Sequence, residues 1–302
     1  MSGRALYRRA APFSDARAKG WLPWGALAPF LTILFVLIPV LATDAPMAAM
    51  GLVEANGDPI GTRGLIAFLL LPFALTGLLV LGWVRFVERR PLATIGLSRA
   101  GAARTFLLGL AIGAVTIFAV VAASWAAGAF DPAGYGRAFA SPAALGAIAL
   151  LLLAFTVQSS VEEILFRGWL LSVVARKFNT LAAVALTSIV FAFLHFSPGQ
   201  AWLVTLNMLL FSVFACCWAL RAENVWGVMG WHAGWNWLLA TGFELPVTGL
   251  DAGLPALLVT LRPTGPAWLT GGGQGPEGSI FCTAFFLAGI AATAYRRPAR
   301  AA

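Results

Sequence analysis

Ionisable side chains are what this sequence has least of. Charged residues make up 11% of the 302 positions, and there are only two histidines, His195 and His232, and three cysteines, Cys216, Cys217 and Cys282. Set against 60% hydrophobic residues and a mean hydropathy of +0.85, this shortage excludes an ordinary soluble domain. The cysteines form no metal-spaced pair, and two of them are adjacent in an apolar stretch, so they read as small packing residues. No His-Glu-x-x-His helix is present, and no serine or cysteine sits in a recognisable nucleophile context. Internal repeats, low-complexity tracts and linkers are also missing, so residues 1–302 are read as a single membrane domain.

What the chain does have is long apolar runs of the length that crosses the hydrocarbon layer, roughly 20 residues each. About eight are expected, over 24–43, 65–87, 105–127, 143–175, 180–196, 201–221, 225–241 and 279–295. The fold class is therefore all-α: a polytopic transmembrane helical bundle. The first run is expected to remain as a signal anchor, because some 23 residues precede it and it is too long for a cleaved leader. The stretch over 242–278 is rich in proline and glycine and is expected to be an irregular outer loop, either a cap or a plain connector.

A net charge of +8 would suit nucleic acid, but its arrangement points to the lipid bilayer instead. Numbering the loops alternately, 16 of the 20 lysines and arginines fall on one side: Arg4, Arg8, Arg9, Arg17, Lys19, Arg85, Arg89, Arg90, Arg99, Arg104, Arg176, Lys177, Arg221, Arg296, Arg297 and Arg300. Only Arg63, Arg137 and Arg262 fall opposite, with Arg167 inside a span. The positive-inside rule then places both termini in the cytoplasm. The Ala-, Gly- and Arg-rich composition suggests a bacterial inner membrane.

Within this apolar background Glu162, Glu163 and Arg167 require a reason, since an ionisable group near the bilayer centre costs roughly 2.5–3.5 kcal/mol on insertion scales. Glu163 and Arg167 are four residues apart with the acid first, the favourable order for a helical ion pair. Glu162, rotated by about 100° on the same helix, is left without a partner in its own segment and is a general-base candidate. The turn between the fourth and fifth spans lies near Arg176 to Thr180, and Glu162 and His195 are nearly equidistant from it. An antiparallel hairpin brings them to similar depth, with Phe191 four residues before His195 as a wall of the pocket. His232 and Asn236 share a helix face four residues apart. A carboxylate, two imidazoles and an amide together supply a water-activating base, a proton shuttle and oxyanion donors, as amide hydrolysis needs.

Blander readings stand beside these. Glu163 with Arg167 reads as a structural ion pair, and His232 with Asn236 as an interhelical hydrogen bond. Ser159, Ser160, Thr205 and Asn207 read as helix-packing groups, and Trp202, Trp226, Trp231, Trp235 and Trp237 as anchors and packing, with Trp235 close enough to line a cavity. Glu162, His195 and His232 would make the His₂Glu set of some zinc enzymes, so zinc remains open although no metal is assigned.

Three motifs occur in order: Glu162-Glu163-x-x-x-Arg167, Phe191-x-x-x-His195 and His232-x-x-x-Asn236. They are preceded by the run Arg90-Pro91-Leu92-Ala93-Thr94-Ile95-Gly96-Leu97. In these residues the chain resembles the CAAX protease and bacteriocin-processing (CPBP, or Abi) family, whose eukaryotic members are type II CAAX prenyl endopeptidases. The likeness covers about 88–241, with a catalytic core at 162–236. It implies a hydrolase: an intramembrane glutamate-type endopeptidase in which Glu162 and His195 activate water and His232 and Asn236 support the oxyanion. Glu163, Arg167 and Phe191 take supporting places. The implied substrate is a lipid-modified, CAAX-like or membrane-inserted peptide. The alternative from another class is a transporter, immunity or scaffold protein using the same cluster as a proton or ion site.

Overall fold

The computed structural model describes residues 9–294, so Arg4, Arg8, Arg296, Arg297 and Arg300 lie outside the described residues. Among the described residues eight helices lie close to where hydropathy sets them, seven of them apolar. They are α1 (Ala28–Ala49), α2 (Gly61–Val87), α3 (Ala102–Ala126), α4 (Pro142–Lys177), α5 (Thr180–Leu194), α6 (Trp202–Ala222), α7 (Trp226–Gly242) and, after a one-turn α8 (Ala267–Thr270), α9 (Ile280–Ala294). Five of them, α1 to α4 and α6, are long and apolar enough to cross a membrane, while α5 and α9 are shorter apolar helices. Their outward faces carry bare hydrocarbon: Leu41 is 64% exposed, Leu78 68%, Leu107 60% and Val115 66%. Apolar surface of that extent is stable in lipid and not in water. The protein is an integral membrane protein.

Local chemistry marks several helix ends. Ser141 accepts a hydrogen bond from the Ala144 amide with Pro142 at the first helical position, and Asn179 accepts one from the Ala182 amide at 2.8 Å. Asn179 is therefore the pivot of the α4–α5 hairpin, within the turn expected from the sequence. In α1, Pro39 has no amide to give the Phe35 carbonyl, and the Thr76 hydroxyl of α2 fills that place at 3.2 Å.

Helix α4 is the centre of the bundle. Every residue from Val161 to Ala175 is buried, and α2 and α7 pack along its sides. Its 36 residues are interrupted by a π-helical segment, Ile164–Leu170, which begins immediately after the carboxylate pair. Such segments recur at functional sites because they re-aim side chains without ending the helix. The 88–101 connection docks here. The Ile95 carbonyl would lie 2.7 Å from a Cβ at Gly168, so only glycine admits it. Glu88, fully buried, accepts from the indoles of Trp83 and Trp169 at 3.1 and 2.8 Å, and Arg90 bridges Glu88 to the Ser172 hydroxyl. Burial pushes the Arg90 guanidinium below its usual range, with Glu88 acting against the shift.

The position of α7 is decided by glycine. A Cβ at Gly230 would lie 1.9 Å from the Phe106 carbonyl oxygen, and one at Gly234 2.1 Å from that of Leu110. Gly109 and Gly113 of α3 are equally tight against α7, at 2.1 and 2.0 Å. Two small-x-x-x-small faces thus bring the backbones into contact. Behind α7, Phe211, Phe214, Trp231, Phe285 and Phe286 from α6, α7 and α9 form an aromatic core.

The expectation of an irregular 242–278 loop needs correction. Within it β2 (Val259–Pro263) pairs antiparallel with β1 (Phe130–Tyr135) from the α3–α4 connection, the only sheet among the described residues. No alternating pattern marks β1, whose Pro132 and Gly134 flank a register shift. Its pairing comes from the partner segment rather than from its own propensity. At the opposite end, the segment before α1 is tied by Gly20 to the Glu88 carbonyl, at 2.9 Å, and by Ala10 to that of Ala175, at 3.0 Å. The connections rich in basic residues therefore gather at one end of the bundle and the β1–β2 pair at the other.

Candidate active site

The motif residues meet at one place. Glu162, on the last α-helical turn before the π segment, lies with Oε1 4.0 Å from His195 Nε2 and Oε2 3.9 Å from His232 Nε2. These separations exceed a hydrogen bond, and among the described residues Glu162 Oε2 has no hydrogen-bond partner. His232 reaches this place because α7 packs against α3 and α4.

Both imidazoles are oriented through Nδ1. His195 is the residue that ends α5, and its ring Nδ1 lies 2.8 Å from the Phe191 carbonyl oxygen. A carbonyl only accepts, so Nδ1 carries the proton and Nε2 faces Glu162. His232 Nδ1 lies 2.9 Å from Glu163 Oε1, the same oxygen that accepts from Arg167 at 3.0 Å. That oxygen acts as a two-fold acceptor, so Nδ1 again donates and Nε2 again faces Glu162. Glu163 is therefore more than the partner of Arg167: it links the arginine to the second histidine.

Arg167 is fully buried, with its guanidinium 4.4 Å from the Phe191 ring and 4.9 Å from the Phe211 ring. Phe191 stacks on His195 at 4.2 Å and is itself buried. It lies behind the imidazole rather than on the cavity wall, which corrects its expected place. Trp235 likewise points away from the cavity, its indole donating to Glu277 at 3.0 Å. Asn236 donates to Gln158 Oε1 at 3.2 Å, and Ser159 donates to the same oxygen at 3.0 Å.

Gln158 is a site residue that the motifs leave out. It stands four positions before Glu162, on the same helix face, and that spacing was the available signal. The link from Glu163 to His232 spans 69 positions and had none.

Glu162, His195, Gln158 and Asn236 open onto a cavity of about 390 Å³. Its far side is apolar, with Val36 and Val40 of α1 and Phe68 and Phe73 of α2. Val247, Thr248, Leu250 and Gln274, from the 242–278 segment, close another side. Among the described residues no group of three His, Cys, Asp or Glu side chains is gathered as a metal site.

Fold and site define a class: an integral membrane helical bundle with a carboxylate–bis-imidazole cluster at the wall of a largely apolar cavity. Residues 144–238, which span most of the α4–α7 core, match the family described as type II CAAX prenyl endopeptidase Rce1-like, and over that segment the chain is similar to this family. Comparison with curated proteins and with solved structures gives no match. The family so described is one of CAAX-type proteases, and the match to it covers the segment that carries Glu162, His195, His232 and Asn236.

Proposed function

We propose that the chain is an intramembrane endopeptidase that hydrolyses a peptide bond in a lipid-modified, CAAX-like or membrane-inserted substrate. The observation that carries this reading is the convergence of two imidazole Nε2 atoms on the two oxygens of Glu162, at 4.0 and 3.9 Å, beside a cavity with one polar and one apolar side. Glu162 takes a proton from water while the water oxygen bonds to the scissile carbonyl carbon, and His195 Nε2 accepts from the same water. The oxyanion is met by the second amide N–H of Asn236 and, when it carries a proton, by His232 Nε2. The C–N bond then breaks as the proton held by Glu162 passes to the leaving nitrogen. Glu163 and Arg167 hold His232, and Phe191 holds His195. The apolar side between α1 and α2 suits a lipid or an apolar peptide segment. In this reading residues 1–302 work as one membrane domain with its catalytic core at 162–236, in a bacterial inner membrane with both termini cytoplasmic.

The test is cleavage of farnesylated CAAX peptides and of co-expressed membrane proteins by purified protein, with products identified by mass. Glu162→Gln should lower the rate by roughly 10²–10⁴-fold, the usual contribution of a general base. Cleavage by Glu162→Gln at the parent rate would overturn the mechanism. A parent protein that cleaves none of these substrates would favour a proton- or ion-site protein instead.

A further inference from the structure

The 242–278 segment lies outside the family match, yet it supplies a wall of the cavity. Its tip is a two-residue turn: Val247 and Leu250 form an isolated antiparallel bridge, and Thr248 and Gly249 between them have φ of +48° and +83°. Two successive left-handed residues make a tight hairpin turn that favours Asn-Gly. A β-branched residue at positive φ is a genuine outlier, and such strain persists only where the surroundings impose it.

Here the surroundings are Glu277. Its Oε2 accepts both the Thr248 amide, at 2.8 Å, and the Thr248 hydroxyl, at 2.9 Å, while its Oε1 accepts the Trp235 indole. The carboxylate is buried, and the three donors that meet it are neutral. Trp235 is the neighbour of Asn236 on α7, so Glu277 ties the turn directly to the helix that carries the site. Its own carbonyl accepts from the buried Asn207 at 2.7 Å, and Asn207 in turn holds Thr283 of α9. This is far more anchoring than a plain connector needs.

Beside the turn, Gln274 faces the cavity with an amide that makes no hydrogen bond among the described residues. It packs against Gly249, where a Cβ would stand 3.2 Å from Gln274 Nε2. The polar groups facing this space, apart from Glu162 and His195, are neutral: Gln158, Asn236, Thr248 and Gln274, with Thr76 and Ser197 further along the wall. Among the described residues no lysine or arginine lines it. Neutral amide donors and acceptors match the amide backbone of an extended peptide rather than a phosphate or a carboxylate.

Resting on the protease reading above, we propose that Gln274, through its amide, and Thr248, through the acceptor capacity left on its hydroxyl, bind the peptide backbone next to the scissile bond, and that Glu277 is the positioning residue that holds Thr248 there. The 242–278 segment is then a fixed wall of the substrate site.

The test uses purified full-length protein and a fluorescent farnesylated CAAX peptide, with cleavage and binding measured separately. Gln274→Leu should raise KM roughly tenfold, the worth of a lost hydrogen bond or two, with kcat within about twofold and an unchanged melting temperature. Glu277→Ala should raise KM at least as much, and Glu277→Gln, which keeps an acceptor for Thr248, should recover most of that loss. Binding is read in the Glu162→Gln background, where Gln274→Leu should weaken Kd by the same factor whether or not the parent cleaves. Weaker binding without any cleavage would sink the protease reading and leave the wall standing. Equal Kd with and without Gln274→Leu, or no binding to either protein, would overturn the proposal.

Discussion

At the scale of single residues, the site is a chain of contacts in which each group fixes the next. Arg167 holds Glu163, Glu163 holds Nδ1 of His232, and Nε2 of His232 faces Glu162. Breaking a buried pair by deleting one partner costs about 3–5 kcal/mol, because the other charge is stranded. Glu163→Ala should therefore lower the melting temperature sharply and abolish cleavage together. Adding Arg167→Met removes the stranded charge, so the double variant should regain much of the stability and none of the activity. Equal instability of the single and double variants would show that the pair does not act as a unit. Zinc was left open by the residue types, and chelation tests it: cleavage should survive EDTA, and loss of cleavage restored by added zinc would require a metal mechanism. The ion pair was legible from a four-residue spacing. The bond to His232 was not, because spacing along one helix says nothing about the face of another.

At the scale of elements, α7 is placed by backbone contact rather than by side-chain size. Gly230 and Gly234 flank His232, and a Cβ at Gly230 would enter the space of the Phe106 carbonyl at 1.9 Å. Gly230→Ala should cost at least about 1–3 kcal/mol, the usual range for overpacking, and should lower activity beyond the loss in folded protein as His232 is pushed from Glu162. Gly146→Ala is the control: nothing lies within 4 Å of its Cβ position, and stability should be unchanged or slightly raised. Normal stability in both variants would sink the close-packing account. The apolar lengths of these helices and the α4–α5 hairpin were readable in the sequence. The π segment after Glu163 was not, because it reflects how α4 is gripped by its neighbours and no residue in Ile164–Leu170 announces it.

At the scale of the whole molecule, the basic connections described in the structure cluster at one end and the β1–β2 pair lies at the other, which bears on orientation. In a cysteine-free background, Lys19→Cys and Arg99→Cys should resist an impermeant maleimide in intact cells and label after permeabilisation. Arg137→Cys and Asp251→Cys should label directly. The reverse pattern would invert the proposed topology. Composition and hydropathy by themselves determined that this is a bundle of membrane helices, and the few polar residues inside those spans already picked out the candidate site, since burying charge in lipid is costly. Both inferences rest on local quantities: the apolar run, the helical period and the price of burying a charge. Only the tertiary structure decided that Glu163 reaches His232, that Phe191 and Trp235 turn away from the cavity, and that Thr248 and Gln274 close it. Those outcomes depend on which helix faces meet and on how a long connection folds back, and distant contacts of that kind leave no period in the sequence.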